Sequence, residues 1–428
     1  MTVTAQARSH AEDLADFVEA SPSSHHAAAE VARRLEAVDF TRLEETDAWP
    51  EQAGGRFFII RDGSVIAWIV PANADATTGA HVFGAHTDSP GLKLKPKPTT
   101  GTRGWLQAAV EVYGGPLLNS WLDRELRLAG RLVLADGTVV LADSGPLLRL
   151  PQLAIHLDRT ANDGLALDKQ FHTQPVWGLG DPSTADVLAA VAATADVDPA
   201  DIRGYDLITA DTQRGAIFGQ DDAFFACGRM DDLASVHAGL IALAAAADGY
   251  AGEHIAVLAA FDHEEIGSGS RAGADGPILD DVLTRVWTRL GAGAEERLRA
   301  IAASWCVSSD VGHSVHPNYV GKHDPVVQPL LGSGPILKIN ANQRYATDAL
   351  GAAAWAGWCE SAGVQSQEFV SNNDVPCGST IGPITATRLG MKTVDVGIPI
   401  LSMHSARELA GVSDLHALSR VARAFLTA

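Results

Sequence analysis

Positive charge is what this chain is short of. Its 428 residues carry 32 Lys and Arg against 52 Asp and Glu, a formal net charge of -20. Nucleic acids and anionic membrane surfaces are held by clustered cations, so the balance argues against either as a main partner. Cysteine is scarce as well. Cys227, Cys306, Cys359 and Cys377 are the full set. None of them forms a C-x-x-C pair, which fits a reduced cytoplasm. Long apolar runs are missing too. The longest, residues 240–247, falls far short of the roughly 20 residues a membrane-spanning helix needs. The opening M-T-V-T-A-Q-A-R-S-H-A-E-D has no apolar h-region of the secretory type. The expectation is a cytoplasmic protein with no membrane and no nucleic-acid partner.

What is present is ordinary for a globular chain, 46% hydrophobic and 20% charged, and long enough for two or three domains or for one large domain with an insertion. An apolar stripe at helical spacing over 11–18, a break at Ser21-Pro22, and good helix formers over 25–37 predict two opening helices. Residues 57–71 read as a hairpin turned at Asp62-Gly63. Residues 80–89 read as a strand running into a polar loop. The texture then changes. Residues 93–98, K-L-K-P-K-P, look like a basic, Pro-rich link. Strand-like segments follow at 107–113 and 126–142, the second turned at Asp136-Gly137. We expect 93–223 to be a β-rich inserted domain and 1–92 with 224–428 to form one discontinuous catalytic domain. In the latter, strands (255–261, 306–310, 394–396) alternate with helical segments (233–247, 277–303 with a break at Gly291 and Gly293, 346–362, 412–428). That rhythm predicts an α/β fold, a mostly parallel sheet sandwiched by helices.

Chemistry-bearing residues recur where such strands end. They are His86-Thr87-Asp88, Asp231-Asp232 before a helix, Glu264-Glu265 after the 255–261 run, Ser308-Ser309-Asp310, and Ser402-Met403-His404. Each alone has a blander reading. Glu264-Glu265 would be a solvated acidic loop, Asp231 a helix N-cap, and His404 a packing residue. Open α/β sheets, however, gather their sites at the carboxyl ends of strands. Together these positions read as one converging site. Mixed His and carboxylate ligands suit zinc or a similar ion better than calcium or magnesium. Two His with three carboxylates exceed what one catalytic zinc needs. Two divalent ions sharing one carboxylate, with the other Glu left as general base, fit better. Ser308-Ser309 and the G-S-G-S at Ser268 invite a serine nucleophile, but no G-x-S-x-G elbow exists.

The strings H-T-D-S-P, R-M-D-D-L, D-H-E-E-I-G-S, S-S-D-V-G-H-S-V-H-P-N-Y and I-L-S-M-H-S-A-R-E resemble the aspartyl aminopeptidase family, dinuclear zinc exopeptidases that remove acidic N-terminal residues. The likeness runs over nearly the whole chain. It implies a zinc-exopeptidase fold whose insertion serves dimerisation. It implies His86, Asp231 and Asp310 on one zinc and Asp231, Glu265 and His404 on the other. Glu264 would be the general base and Asp88 the carboxylate that tunes the site. His156 would reach a neighbouring subunit's site, and His313, Lys338 and Tyr345 would line the substrate pocket. An acidic protein that cleaves acidic residues must supply local positive charge, for which Lys338 is the best candidate, helped by His313 if it is protonated. The resemblance further implies a homo-oligomer, a dodecamer built from dimers, acting on peptides with acidic N-termini. The sequence departs from the family's Arg-Leu-Asp-Asn at Arg229-Met230-Asp231-Asp232. Related co-catalytic sites use Asp-Asp, often through a cis peptide, so a cis Asp231–Asp232 bond is expected. The alternatives are a related zinc hydrolase, such as a deacylase or an aminopeptidase of other specificity, and an idle shell protein. The shell reading needs a lost ligand or a lost Glu264, and none is lost.

Overall fold

A computed structural model describes residues 3–50 and 53–428. Its centre is a nine-stranded mixed sheet. Four neighbouring strands in it, Ile255–Phe261, Ala80–His86, Trp305–Ser309 and Lys392–Gly397, run parallel. Every residue of Ile255–Phe261 is buried, as a strand covered on both faces must be. Its side chains divide by period two. Ala256, Leu258 and Ala260 join the core beneath the helices Ala5–Glu19, Met230–Ala246 and Val412–Leu426. Ile255, Val257, Ala259 and Phe261 join the core beneath Ile278–Arg289 and Ala294–Ala303. The mostly parallel, helix-sandwiched α/β architecture is therefore present. Among the described residues no helix is long and apolar enough to cross a membrane.

Local chemistry sets the opening helices. Thr4 accepts from Ala7 N–H at 3.1 Å and Ser23 from His26 N–H at 3.4 Å, capping Ala5–Glu19 and Ser24–Glu36. The hairpin Arg56–Arg61 and Ser64–Ile69 turns at Asp62-Gly63.

A seven-stranded antiparallel sheet is built from segments between Gly91 and Asp211. Strand Glu125–Leu134 pairs with Ile202–Asp211 and closes it into a barrel. Residues 93–98 are not a link. They lie inside the strand Gly91–Thr102, which pairs with Trp105–Tyr113. The register slips between Leu94 and Thr99, so Pro96 and Pro98 sit in a bulge, where their missing N–H groups cost no ladder bond. A further five-stranded sheet joins Gly312–His313, Pro399–Leu401 and Glu408–Gly411 to Ala216–Phe218 and Phe224–Cys227. Its strands Pro399–Leu401 and Glu408–Gly411 pair with each other and carry the His404 turn between them.

Candidate metal centre

The parallel strands end together. Phe261 pairs with His86 across the two adjacent strands. His86 is thus the last residue of its strand, Glu264 and Glu265 follow three and four residues beyond theirs, and Asp310 leaves Trp305–Ser309 directly. Asp231 enters at the head of Met230–Ala246, where its backbone is not yet helical, and the Asp231–Asp232 peptide is cis, as expected. His404 stands in the turn between Pro399–Leu401 and Glu408–Gly411.

Two groups of donor atoms result, each lying within 4.8 Å: His86, Asp231 and Asp310, and Asp231, Glu265 and His404. Asp231 belongs to both. Its Oδ1 lies 3.2 Å from His86 Nε2 and its Oδ2 3.2 Å from His404 Nε2. Asp310 Oδ1 is 3.9 Å from His86 Nε2, and Glu265 Oε2 is 3.4 Å from His404 Nε2.

The residues fit a pair of dications. Asp231 Oδ1 and Glu265 Oε1 are buried and accept no hydrogen bond, an expensive arrangement unless a cation takes the lone pairs. The electrostatics agree. Burial, with Asp231 beside it, pushes the Glu265 carboxyl well above its ordinary value. Burial likewise raises Asp310, in spite of Lys338. Burial works against protonation of the two imidazoles, yet Asp231 holds His404 up to about 9, and Asp231 and Asp88 hold His86 well above its usual range. A site this acidic calls for positive charge. Both imidazoles are oriented for it. His86 Nδ1 faces the Asp88 carbonyl at 3.0 Å and His404 Nδ1 the Gly115 carbonyl at 3.0 Å. Each Nε2 is left to a ligand.

Asp88 organises the acids. Its Oδ1 accepts from Glu264 N–H at 3.0 Å and its Oδ2 from Glu265 N–H at 3.1 Å, while the Tyr113 hydroxyl donates to Oδ2 at 2.8 Å. Burial pushes the Glu264 carboxyl up to about 7, the range in which a carboxylate works as a proton acceptor near neutral pH. Asp232 accepts from His86 N–H at 3.2 Å.

Lys338 is 1% exposed. Its Nζ donates to the Val311 carbonyl at 2.8 Å, lies 3.6 Å from Asp310 Oδ2 and sits 5.4 Å from the Tyr345 ring centre. His313 and Tyr345 both pack on Phe369, with ring centres 6.1 and 6.2 Å away, and Phe369 pairs with Lys338 in register. Loss of solvation, with the Lys338 charge beside it, holds His313 below its ordinary pKa, which works against the protonated form. His156 stands apart. It is exposed and makes no hydrogen bond or ion pair among the described residues.

Sequence reasoning missed Phe369, Tyr113, Gly115 and Glu408. Glu408, 1% exposed, accepts from Asp231 N–H at 3.0 Å and His404 N–H at 2.9 Å, tying two donor residues together. The signal was present, since Glu408 closes the string M-H-S-A-R-E.

Residues 17–426 match the model of the aminopeptidase I zinc metalloprotease (M18) family. The chain is 53% identical to the "Probable M18 family aminopeptidase 2" of Streptomyces coelicolor, over 98% of both chains. Among solved structures it is similar to a chain in the cryo-EM structure of the Ape4 and Nbr1 complex, with 34% identity and a TM-score of 0.95 over 100% of this chain and 88% of that one. It is also similar to the Saccharomyces cerevisiae mApe1 dodecamer, with 30% identity and a TM-score of 0.85 over 97% and 95%.

Proposed function

This chain belongs to the M18 family of dinuclear zinc aminopeptidases, and from that premise we propose that it releases N-terminal Asp and Glu from peptides. In this reading His86, Asp231 and Asp310 hold one zinc ion and Asp231, Glu265 and His404 the other. Zinc bound there supplies Lewis acidity, lowering the pKa of water and polarising the scissile carbonyl. Glu264 takes a proton from the attacking water and returns it to the departing amine. Asp88, accepting both Glu264 and Glu265 N–H groups, keeps base and ligand apart and fixed.

The observation that carries the acidic specificity is Lys338. It is a buried cation at the edge of a strongly acidic site, and of its three donor hydrogens one goes to the Val311 carbonyl. A substrate carboxylate beside Tyr345 and His313 gives the others a partner. A neutral side chain leaves Lys338 only the Val311 carbonyl and the 3.6 Å approach to Asp310 Oδ2, and a mismatch at such a buried charge discriminates by up to a few kcal/mol.

We extend the reading to assembly. The similar mApe1 is a dodecamer. Here exposed His156 lies in the chain between exposed Leu153 and Leu157, the latter 75% exposed, an apolar segment suited to a neighbouring copy whose site His156 would enter.

A panel of aminoacyl reporter peptides tests the specificity. Asp and Glu substrates are expected to be cleaved in preference to Leu and Lys. Lys338→Ala is expected to lose about 100-fold on the acidic ones, the scale of a few kcal/mol, and far less on Leu. Because Lys338 also neighbours Asp310, damage to the metal site would lower both alike. Equal losses, or a wild-type preference for Leu, would overturn the acidic specificity.

A further inference from the structure

His404 is the most loosely rooted of the donor residues. It stands in a turn rather than at the end of a buried strand, and its side chain is 29% exposed, against 2% for His86. Its position depends on contacts from outside the turn. Most of these come from one connection of the inserted barrel, between the strands Trp105–Tyr113 and Glu125–Leu134. Gly115 O faces His404 Nδ1 at 3.0 Å, and Leu117 N–H donates to the His404 carbonyl at 2.9 Å. Ser120 Oγ accepts from Ala406 N–H at 2.9 Å. Gly114 takes a left-handed φ of +68°, and a Cβ there would meet Glu265 Cβ at 3.2 Å and the Glu265 carbonyl at 3.4 Å. At the near end of the same connection, Tyr113 donates to Asp88.

We propose that the connection Tyr113–Ser120 is a positioning arm of the metal centre. Through the Gly115 carbonyl it fixes His404 with Nε2 turned toward Asp231 and Glu265, and through the Tyr113 hydroxyl it holds Asp88 beneath Glu264 and Glu265. The proposal rests on the zinc-ligand assignment above. The chemistry is that of any imidazole ligand. An N–H donated to a fixed carbonyl sets the tautomer and the ring direction, and loss of such outer contacts commonly weakens a metal by about 10–100-fold. The carbonyl is a backbone atom, so its aim is set by how closely the arm lies on Glu265. That closeness favours a glycine at 114, where a side chain would both strain the left-handed backbone and press on Glu265, displacing the arm by a few tenths of an ångström. The inserted barrel thereby becomes part of the catalytic machinery of its own chain, in addition to any role between subunits.

Zinc retention against a graded chelator tests the arm. We measure it on the intact protein together with kcat and KM at saturating zinc. In Gly114→Ala, one of the two zinc ions is expected to leave at about 10–100-fold weaker competition, the other to be held as in the wild type, and kcat to recover with added zinc. Ser120→Ala, which removes an acceptor from the arm without straining its backbone, is expected to shift the same ion by less, and it carries the test if Gly114→Ala fails to fold. Tyr113→Phe is expected to keep both ions and lower kcat with KM little changed. A general loss of stability would loosen both ions together and would not divide them. Folded variants that hold both ions and turn over like the wild type would overturn the arm alone. Wild-type protein taking up fewer than two zinc ions per chain would overturn the ligand assignment and the arm with it.

Discussion

Glu264 and Glu265 are adjacent in the chain and different in surroundings. Glu265 points one oxygen toward His404 Nε2 at 3.4 Å and keeps the other buried and unbonded. Glu264 belongs to neither donor group and carries a carboxyl pushed up to about 7 by burial. Their N–H groups are divided between the two oxygens of Asp88, which explains how successive residues turn to separate tasks. Glu264→Gln is expected to retain two zinc ions and lose about 10²–10⁴-fold in kcat, the usual range for a general base. Glu265→Gln is expected to lose one ion. Zinc content measured beside turnover separates them, and a Glu264→Gln protein depleted of zinc would make Glu264 a ligand instead. At this scale the sequence was informative about donor types and largely silent about what steadies them. Glu408 lies four positions from His404 in a string the sequence did display, but Tyr113 and the Gly115 carbonyl act through hydrogen bonds spanning 25 and 289 positions. No local pattern encodes such contacts.

Among the elements, the parallel strands and their covering helices were legible because burial on both faces leaves a continuous apolar run and helices leave a 3.6-residue stripe. Ile255–Phe261, Trp305–Ser309 and Val412–Leu426 lie close to where those patterns place them. Three features were not legible. The strand Gly91–Thr102 hid behind two prolines held in a bulge. The strands Gly312–His313 and Pro399–Leu401 are too short to show a period. The helix Ile381–Leu389 begins Ile-Gly-Pro, two poor helix formers in its first turn, and relies on the Thr380 cap. The end of one strand also bears on the site. Gly397 closes Lys392–Gly397, and a Cβ there would fall 1.7 Å from the Asp310 carbonyl oxygen. That atom is backbone and cannot swing aside. Gly397→Ala is expected to displace Asp310, lower stability by about 1–3 kcal/mol as overpacking does, and weaken zinc binding. Denaturant titration with and without zinc checks this, and a wild-type midpoint would show that the strand end yields freely.

In the whole molecule, two sheets of different origin meet over one acidic centre. The nine-stranded sheet supplies His86, Glu264, Glu265 and Asp310 from strand ends, and the barrel leans on His404 and Asp88 from the other side. The net charge of -20 makes the buried Lys338 stand out as the local exception on which acidic substrates would depend. Two zinc ions are expected to share Asp231 in every chain. Native mass spectrometry of chelator-stripped protein, titrated with zinc and assayed for peptide release at each step, tests it most directly, because it reads ions per chain and chains per particle together. We expect two zinc ions per chain, within a particle of the dodecameric size seen for the similar mApe1, with activity rising as the second ion binds. A single ion per chain at full activity, or full activity in the stripped protein, would contradict it.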